Sequence, residues 1–358
     1  MTLAHGGKLC QAARDFGIPL DSWIDLSTGI SPWSWPVPRV PNRVWQRLPE
    51  DTERVNTTAA QYYDPKTCGA KVCRRNQALA VPGSQYAISR LPGLFPPGKA
   101  VLPLWGYSEH QKAWQQAGHQ VLFYSHPLQL RHLVDDPTVQ YAVVINPCNP
   151  TAELMSPDSL VNIAHSLAGR QGQLLVDEAF MDVSPAHSII PQRPVNTIVL
   201  RSLGKFFGLA GLRLGFVIAD AGLLARIAQD MDPWAVSHPA LWLGEQALSD
   251  LVWQQQQRER LSQASAQWLN NLNALLPGKQ LFATGLFASL RCTSEWGSRF
   301  YSAAAQSGVL VRLISSPQDQ AIVRLGLPPE RQWDITLARL QQAIDSLSRL
   351  PLATGIPR

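Results

Sequence analysis

Lys205 is the residue whose neighbours most constrain its chemistry. It lies in Ser202-Leu-Gly-Lys205-Phe-Phe-Gly-Leu-Ala-Gly-Leu-Arg213, three residues after a serine and eight before an arginine. A lysine amine condenses with an aldehyde to form an imine. A serine hydroxyl and a guanidinium together hold a dianionic phosphate, the guanidinium in bidentate fashion. Upstream, Leu174-Leu-Val-Asp177-Glu-Ala reads as an apolar strand ending in a carboxylate, which could pair with a protonated ring nitrogen. Pyridoxal 5'-phosphate makes all three demands at once. Lysine is scarce here, with seven among 358 residues, so few other side chains could form the imine.

A Ser-x-x-Lys run also occurs in serine β-lactamases and penicillin-binding proteins, which need Ser-Asp-Asn and Lys-Thr-Gly partners. This chain has no Ser-Asp-Asn, and Lys66-Thr67-Cys68 does not match the second motif. Alone, the Lys205 segment would read as a glycine-rich loop as readily as a cofactor site.

Two other motifs change that balance. Val81-Pro82-Gly83-Ser84-Gln85 falls where a strand turns into a helix. Glycine there permits close backbone approach, and free amides bind phosphate. Ile145-Asn146-Pro147-Cys148-Asn149-Pro150-Thr151 ends another strand. Its prolines stiffen the loop and direct the Asn149 amide, which could donate to a phenolate oxygen; a plain Asn-Pro turn uses the same residues.

The elements that position these motifs alternate. Strands are expected at 79–81, 100–102, 120–123, 141–145, 173–176, 197–200 and 215–218, with helices around 85–94, 108–117 and 156–169. Such alternation implies a mainly parallel sheet covered on both faces. Residues 1–50, rich in Pro and Trp, read as an arm and irregular loop. Beyond Pro233 and Pro239, one long helix is expected over 240–276, stopped by Pro277-Gly278. Strands near 285–291, 309–313 and 321–326 and helices over 296–307 and 330–349 complete an α+β C-terminal domain. The expected division is an arm and substrate loop at 1–45, a large coenzyme-binding domain at 46–235 and a small domain at 236–358.

Composition sets outer bounds. The formal charge of +5 comes from scattered arginines without a basic run, which suits anionic small molecules and gives no sign of nucleic-acid binding. No apolar stretch approaches about 18 residues, so no membrane span is expected. The N-terminus lacks the apolar region of a signal peptide. The five cysteines are irregularly spaced and complete no zinc set, so no metal and a reducing, cytoplasmic setting are expected.

In order, Gly-Ser-Gln, Asn-Pro-x-Asn-Pro-Thr, Asp-Glu-Ala-Phe and Ser-x-x-Lys with Gly-Leu-Arg-Leu-Gly all fall at the ends of expected parallel strands. This order resembles the fold-type-I pyridoxal-phosphate enzymes, in the subgroup of histidinol-phosphate aminotransferases and threonine-phosphate decarboxylases. The chain looks most like the cobalamin-pathway decarboxylases, through His5-Gly-Gly7, Asp25-Leu-Ser-Thr-Gly-Ile-Ser-Pro32, Arg47-Leu-Pro-Glu-Asp51, Val176-Asp-Glu-Ala-Phe-Met-Asp182, Leu200-Arg-Ser-Leu-Gly-Lys205 and Pro233-Trp-Ala-Val236.

The resemblance implies that Lys205 binds the coenzyme covalently and Asp177 keeps its pyridine nitrogen protonated. It implies that Asn149 donates to the phenolate oxygen and Tyr107 stacks on the ring. Gly83, Ser84, Gln85, Ser202 and Arg213 would bind the phosphate, with Tyr62 reaching it from the other subunit of a homodimer. Arg324, in Val323-Arg-Leu-Gly326, matches the arginine that clamps the substrate carboxylate. His5, Ser31 and Arg312 are the candidates for the substrate phosphate. The implied reaction is decarboxylation of O-phospho-L-threonine to (R)-1-amino-2-propanol phosphate in cobalamin biosynthesis; the alternative is a histidinol-phosphate-type aminotransferase. Phe180 stands where aminotransferases often carry Tyr, Gly204 replaces a common Thr and Ala152 a common Gly. The basic stretch with Lys66, Lys71, Arg74 and Arg75 has no clear counterpart and reads as a solvated loop.

Overall fold

The computed structural model describes residues 6–50, 52–64, 77–316 and 318–349. His5 and the basic stretch after Asp64 lie outside them. The described residues divide into two compact units, falling within Met1–Pro32, Pro150–Ala152 and Arg260–Arg358 for the first, and Trp33–Asn149 and Glu153–Glu259 for the second. The first unit opens with α1 (Leu9–Phe16), closed by Gly17 in the left-handed conformation, and β1 (Ile24–Asp25).

The second unit contributes α2 (Asn42–Gln46), α3 (Glu53–Tyr63) and a seven-stranded sheet. Its strands are β2 (Gln77–Val81), β3 (Lys99–Pro103), β4 (Gln120–Tyr124), β5 (Val139–Ile145), β6 (Gln173–Asp177), β7 (Thr197–Ser202) and β8 (Gly215–Ala219). They stand in the order β2-β8-β7-β6-β5-β3-β4, and every pairing is parallel except the two made by β8. All seven expected strands are present. Successive residues of β5 to β8 are buried whichever face they point to, as continuous apolar runs require when both faces are covered. On one face, Val143, Leu175, Ile198 and Val217 pack with Ile88 of α4 (Ser84–Arg90), Trp114 of α5 (Ser108–Gln116) and Ile227 from residues 221–230.

The long helix expected over 240–276 is two helices, His238–Ser249 and Leu251–Leu275. Asp250 breaks the run. Its Oδ1 accepts from the Trp253 N–H at 3.1 Å, the action of an N-cap, while its Oδ2 accepts from Trp35 Nε1. Gln254 Nε2 donates to the Ala247 and Leu248 carbonyls that the break leaves over. An apolar stripe continues through this junction, which is why periodicity alone runs the two helices together.

In the first unit, an antiparallel four-stranded sheet has the order Arg312–Ser315, Gln320–Gly326, Phe287–Thr293, Leu281–Ala283. The short strand Leu281–Ala283 was not expected; its residues are too few to show a period. Val309–Leu310 pairs in parallel with β1. Helices Ser294–Gln306 and Trp333–Arg349 pack together against this region. No described helix is long and apolar enough to cross a membrane.

Candidate active site

Because β8 runs opposite to its neighbours, its start lies beside the ends of β2 and β7: Gly215 pairs with Val81 on one side and Ser202 on the other. That register gathers Gly83-Ser84, Ser202 and Arg213 from three separate stretches of sequence. Gly83 has φ of 76°, and a Cβ there would stand 2.8 Å from Arg213 Nη2. A Cβ on Gly215 would stand 2.5 Å from the Ser84 nitrogen. Both glycines are therefore spatial requirements of a tight cradle built from backbone and a guanidinium. Arg213 itself adopts a left-handed conformation, φ 53°, and donates to the Ala210 carbonyl at 3.1 Å. Ser202 Oγ accepts from the Gly204 N–H at 3.2 Å.

Asp177 closes β6, directly opposite Ile145 at the end of β5. One carboxylate oxygen lies 3.0 Å from His110 Nε2 and the other accepts from the Ala179 N–H at 3.0 Å. Asp177 and His110 are both buried. Tyr107 precedes α5 and donates to Gln85 Oε1 at 2.9 Å, so the aromatic residue and the Gly-Ser-Gln turn are joined. Its ring meets that of His110 edge-on at 6.4 Å. Lys205 Nζ stands 5.2 Å from the Phe180 ring centre, which places the lysine beside the Asp-Glu-Ala-Phe turn.

Asn149 is half-buried at the end of a loop that Asn146 pinches shut. Asn146 donates to the Met155 carbonyl and accepts from the Met155 N–H. Sequence reasoning gave no role to Asn146 or His110. For His110 a signal existed: it follows Tyr107 by three residues across a helix start, which puts both side chains on one face.

Tyr62 accepts from Arg258 Nη2 at 3.0 Å and hydrogen-bonds Asp182. Burial, then the Asp182 charge, pushes its pKa well above the usual tyrosine value. Behind it, Arg201 pairs with Glu178 at 3.0 Å and Asp182 at 3.3 Å, all three buried.

The first unit holds the remaining described candidates. Arg324, buried in the strand Gln320–Gly326, donates to the Ser27 carbonyl and lies over the Phe287 ring. Arg312 is its direct neighbour on the adjacent strand. Burial first, then the Arg312 charge, pushes the Arg324 pKa down to about 9, with Asp25 pulling the other way. Asp25 Oδ1 accepts from the Ser27 N–H and hydroxyl, and that hydroxyl accepts from the Gly7 N–H. The Gly-Gly after His5 is thereby tied to the same segment as Arg324. Ser31 is buried in this unit.

Residues 42–340 match the family model described as aminotransferase class I and II. The chain is 39% identical to a threonine-phosphate decarboxylase of Pseudomonas aeruginosa, over 96% of this chain and 97% of that one. It is 34% identical to a threonine-phosphate decarboxylase of a Sinorhizobium species, over 98% and 99%. Among solved structures, the histidinol-phosphate aminotransferase of Sinorhizobium meliloti in complex with pyridoxal 5'-phosphate superposes with a TM-score of 0.80 at 17% identity, covering 97% of this chain and 96% of that one. The mainly parallel sheet of the second unit is that of the fold-type-I enzymes. The chain belongs to the aminotransferase class I and II family and, within it, to the family of the threonine-phosphate decarboxylases.

Proposed function

We propose that this chain is a pyridoxal 5'-phosphate-dependent decarboxylase converting O-phospho-L-threonine to (R)-1-amino-2-propanol phosphate and CO2, a step of cobalamin biosynthesis. The near full-length similarity to proteins named threonine-phosphate decarboxylase carries this reading. The residues present also fit the coenzyme. Glycine at position 83 lets the Arg213 guanidinium close on the turn where any side chain would collide with it, and Asp177 is a buried carboxylate oriented from two sides.

When bound, pyridoxal 5'-phosphate supplies an aldehyde and an electron-accepting ring. Lys205 would supply the amine that holds it, and Lys205 or a water would then deliver a proton to the substrate Cα. Asp177 keeps a proton on the ring nitrogen, because a nearby negative charge favours the cationic form. Asn149 would donate to the phenolate oxygen, and Tyr107 would lie against the ring. Ser84, Gln85, Ser202 and Arg213, with Tyr62 of the partner subunit, hold the phosphate. Arg324 clamps the substrate carboxylate, while Arg312, His5 and Ser31 meet the substrate phosphate. Anchoring the carboxylate through Arg324 and the phosphate through Arg312, His5 and Ser31 would fix the orientation of the substrate and so select the bond that breaks.

A homodimer in the cytoplasm completes the proposal. Trp45 and Trp234 are 64% and 60% exposed, unusual for the largest apolar side chain and suited to cover by a second copy.

Purified protein incubated with phosphothreonine should release CO2 without any keto acid present. Keto-acid-dependent amine transfer in its place would establish the aminotransferase alternative. Borohydride reduction should fix the coenzyme on Lys205, and a label on any other lysine would refute the assignment.

A further inference from the structure

Three residues stand in one row across the small sheet of the first unit. Ser289 pairs directly with Arg324, and Arg324 pairs directly with Arg312 on its other side. Directly paired residues of antiparallel strands present their side chains on the same face, so the row is Ser289, Arg324, Arg312. An independent contact confirms which face this is. The Arg324 guanidinium lies 5.3 Å from the ring centre of Phe287, which shares a face with Ser289 because it stands two residues away.

Ser289 is 1% exposed, and its Oγ has no hydrogen-bond partner among the described residues. Buried hydroxyls are ordinarily bonded, and alanine would occupy this strand position without that cost. The flanking Ala288 and Leu290 belong to the opposite, apolar face. The row also carries two guanidiniums, with the Asp25 carboxylate near Arg324. A row with two guanidiniums and an orphan hydroxyl donor matches an anion with more than one acceptor oxygen. The Ser27 carbonyl holds Arg324 from the chain side, which fixes the guanidinium relative to the row.

We propose that Ser289 is a substrate-binding residue, its hydroxyl donating to the same α-carboxylate that Arg324 clamps. The identity of the ligand rests on the decarboxylase reading. Arg312, at the far end of the row and two strand spacings or about 9.6 Å from Ser289, then serves the phosphate end. The row thus sorts the two anions of one substrate by position.

The test is calorimetric titration of the holoenzyme and its Ser289→Ala variant with two ligands. One is O-phospho-L-threonine; the other is (R)-1-amino-2-propanol phosphate, which lacks the carboxylate. The variant should bind phosphothreonine about tenfold more weakly, as a charge-assisted hydrogen bond warrants, and the amine phosphate within about twofold of wild type. Its melting temperature should equal or exceed that of wild type. Unchanged phosphothreonine affinity overturns the proposal. So does an equal loss for both ligands with a lower melting temperature, which marks a structural role. If wild type binds no phosphothreonine, the functional reading itself fails. The L-amino acid that does bind, set against its decarboxylated amine, then decides Ser289 by the same comparison.

Discussion

His110 Nε2 stands 3.0 Å from Asp177 Oδ2, and the two side chains are 1% and 6% exposed. A buried carboxylate bonded to an imidazole on one oxygen and a backbone amide on the other has one available orientation. Replacing His110 with Phe should leave Asp177 Oδ2 without its partner and lower kcat by about 10–100-fold, the effect of an unmet buried group. Asp177→Asn should lower turnover further while the fold survives, because an amide does not hold a proton at the ring nitrogen. Circular dichroism together with steady-state kinetics would check both. Wild-type turnover in Asp177→Asn would refute the role given to the carboxylate.

The parts of this site legible in sequence are those set by local rules. Strand ends, the Gly-Ser-Gln turn and the Ser-x-x-Lys spacing each depend on a few neighbouring residues, and the seven strands of the large sheet follow from apolar runs. What escaped depends on distant pairing. His110 meets Asp177 across 67 residues, and Ser289 gains meaning only from its register with Arg324. The helix break at Asp250 is hidden in the sequence because an N-cap aspartate inside an apolar stripe does not disturb the stripe's period.

Gly83 offers a direct test of the cradle. A Cβ there would fall 2.8 Å from Arg213 Nη2 at a φ of 76° that side-chain-bearing residues rarely adopt. Gly83→Ala should displace the guanidinium and weaken coenzyme retention about tenfold or more. Equilibrium dialysis of the coenzyme would read this, and unchanged retention would place the phosphate elsewhere.

Arg201 should matter for stability. Its guanidinium is buried between Glu178 and Asp182 and lies 4.6 Å from the Tyr63 ring centre. Arg201→Leu strands two buried carboxylates and should cost about 3–5 kcal/mol in chemical denaturation. Burial already raises the Glu178 pKa above its ordinary 4.5, and the Arg201 charge lowers it. Without that charge the folded-state pKa climbs further, so the folded protein binds more protons than the unfolded chain above about pH 4.5. Its stability must then fall as pH rises, and the variant's deficit should be larger at pH 8 than at pH 5. A deficit independent of pH would mean that packing, not charge, dominates.

Arg324 couples stability and function with opposite signs. Its pKa is pushed down to about 9, first by burial and then by Arg312 directly opposite. Its folded-state pKa lies below the unfolded one, so its buried charge costs stability, and that cost eases as pH rises. At neutral pH the folded protein carries the whole penalty of the buried charge. Arg324→Met should therefore raise the melting temperature of the ligand-free protein at pH 7, as apolar replacements of buried charges often do. The same change should cost about 2–5 kcal/mol in substrate binding, since it removes one side of a buried charge pair. If Arg324→Met keeps its affinity for phosphothreonine, the clamp is not Arg324, and Arg312 takes its place.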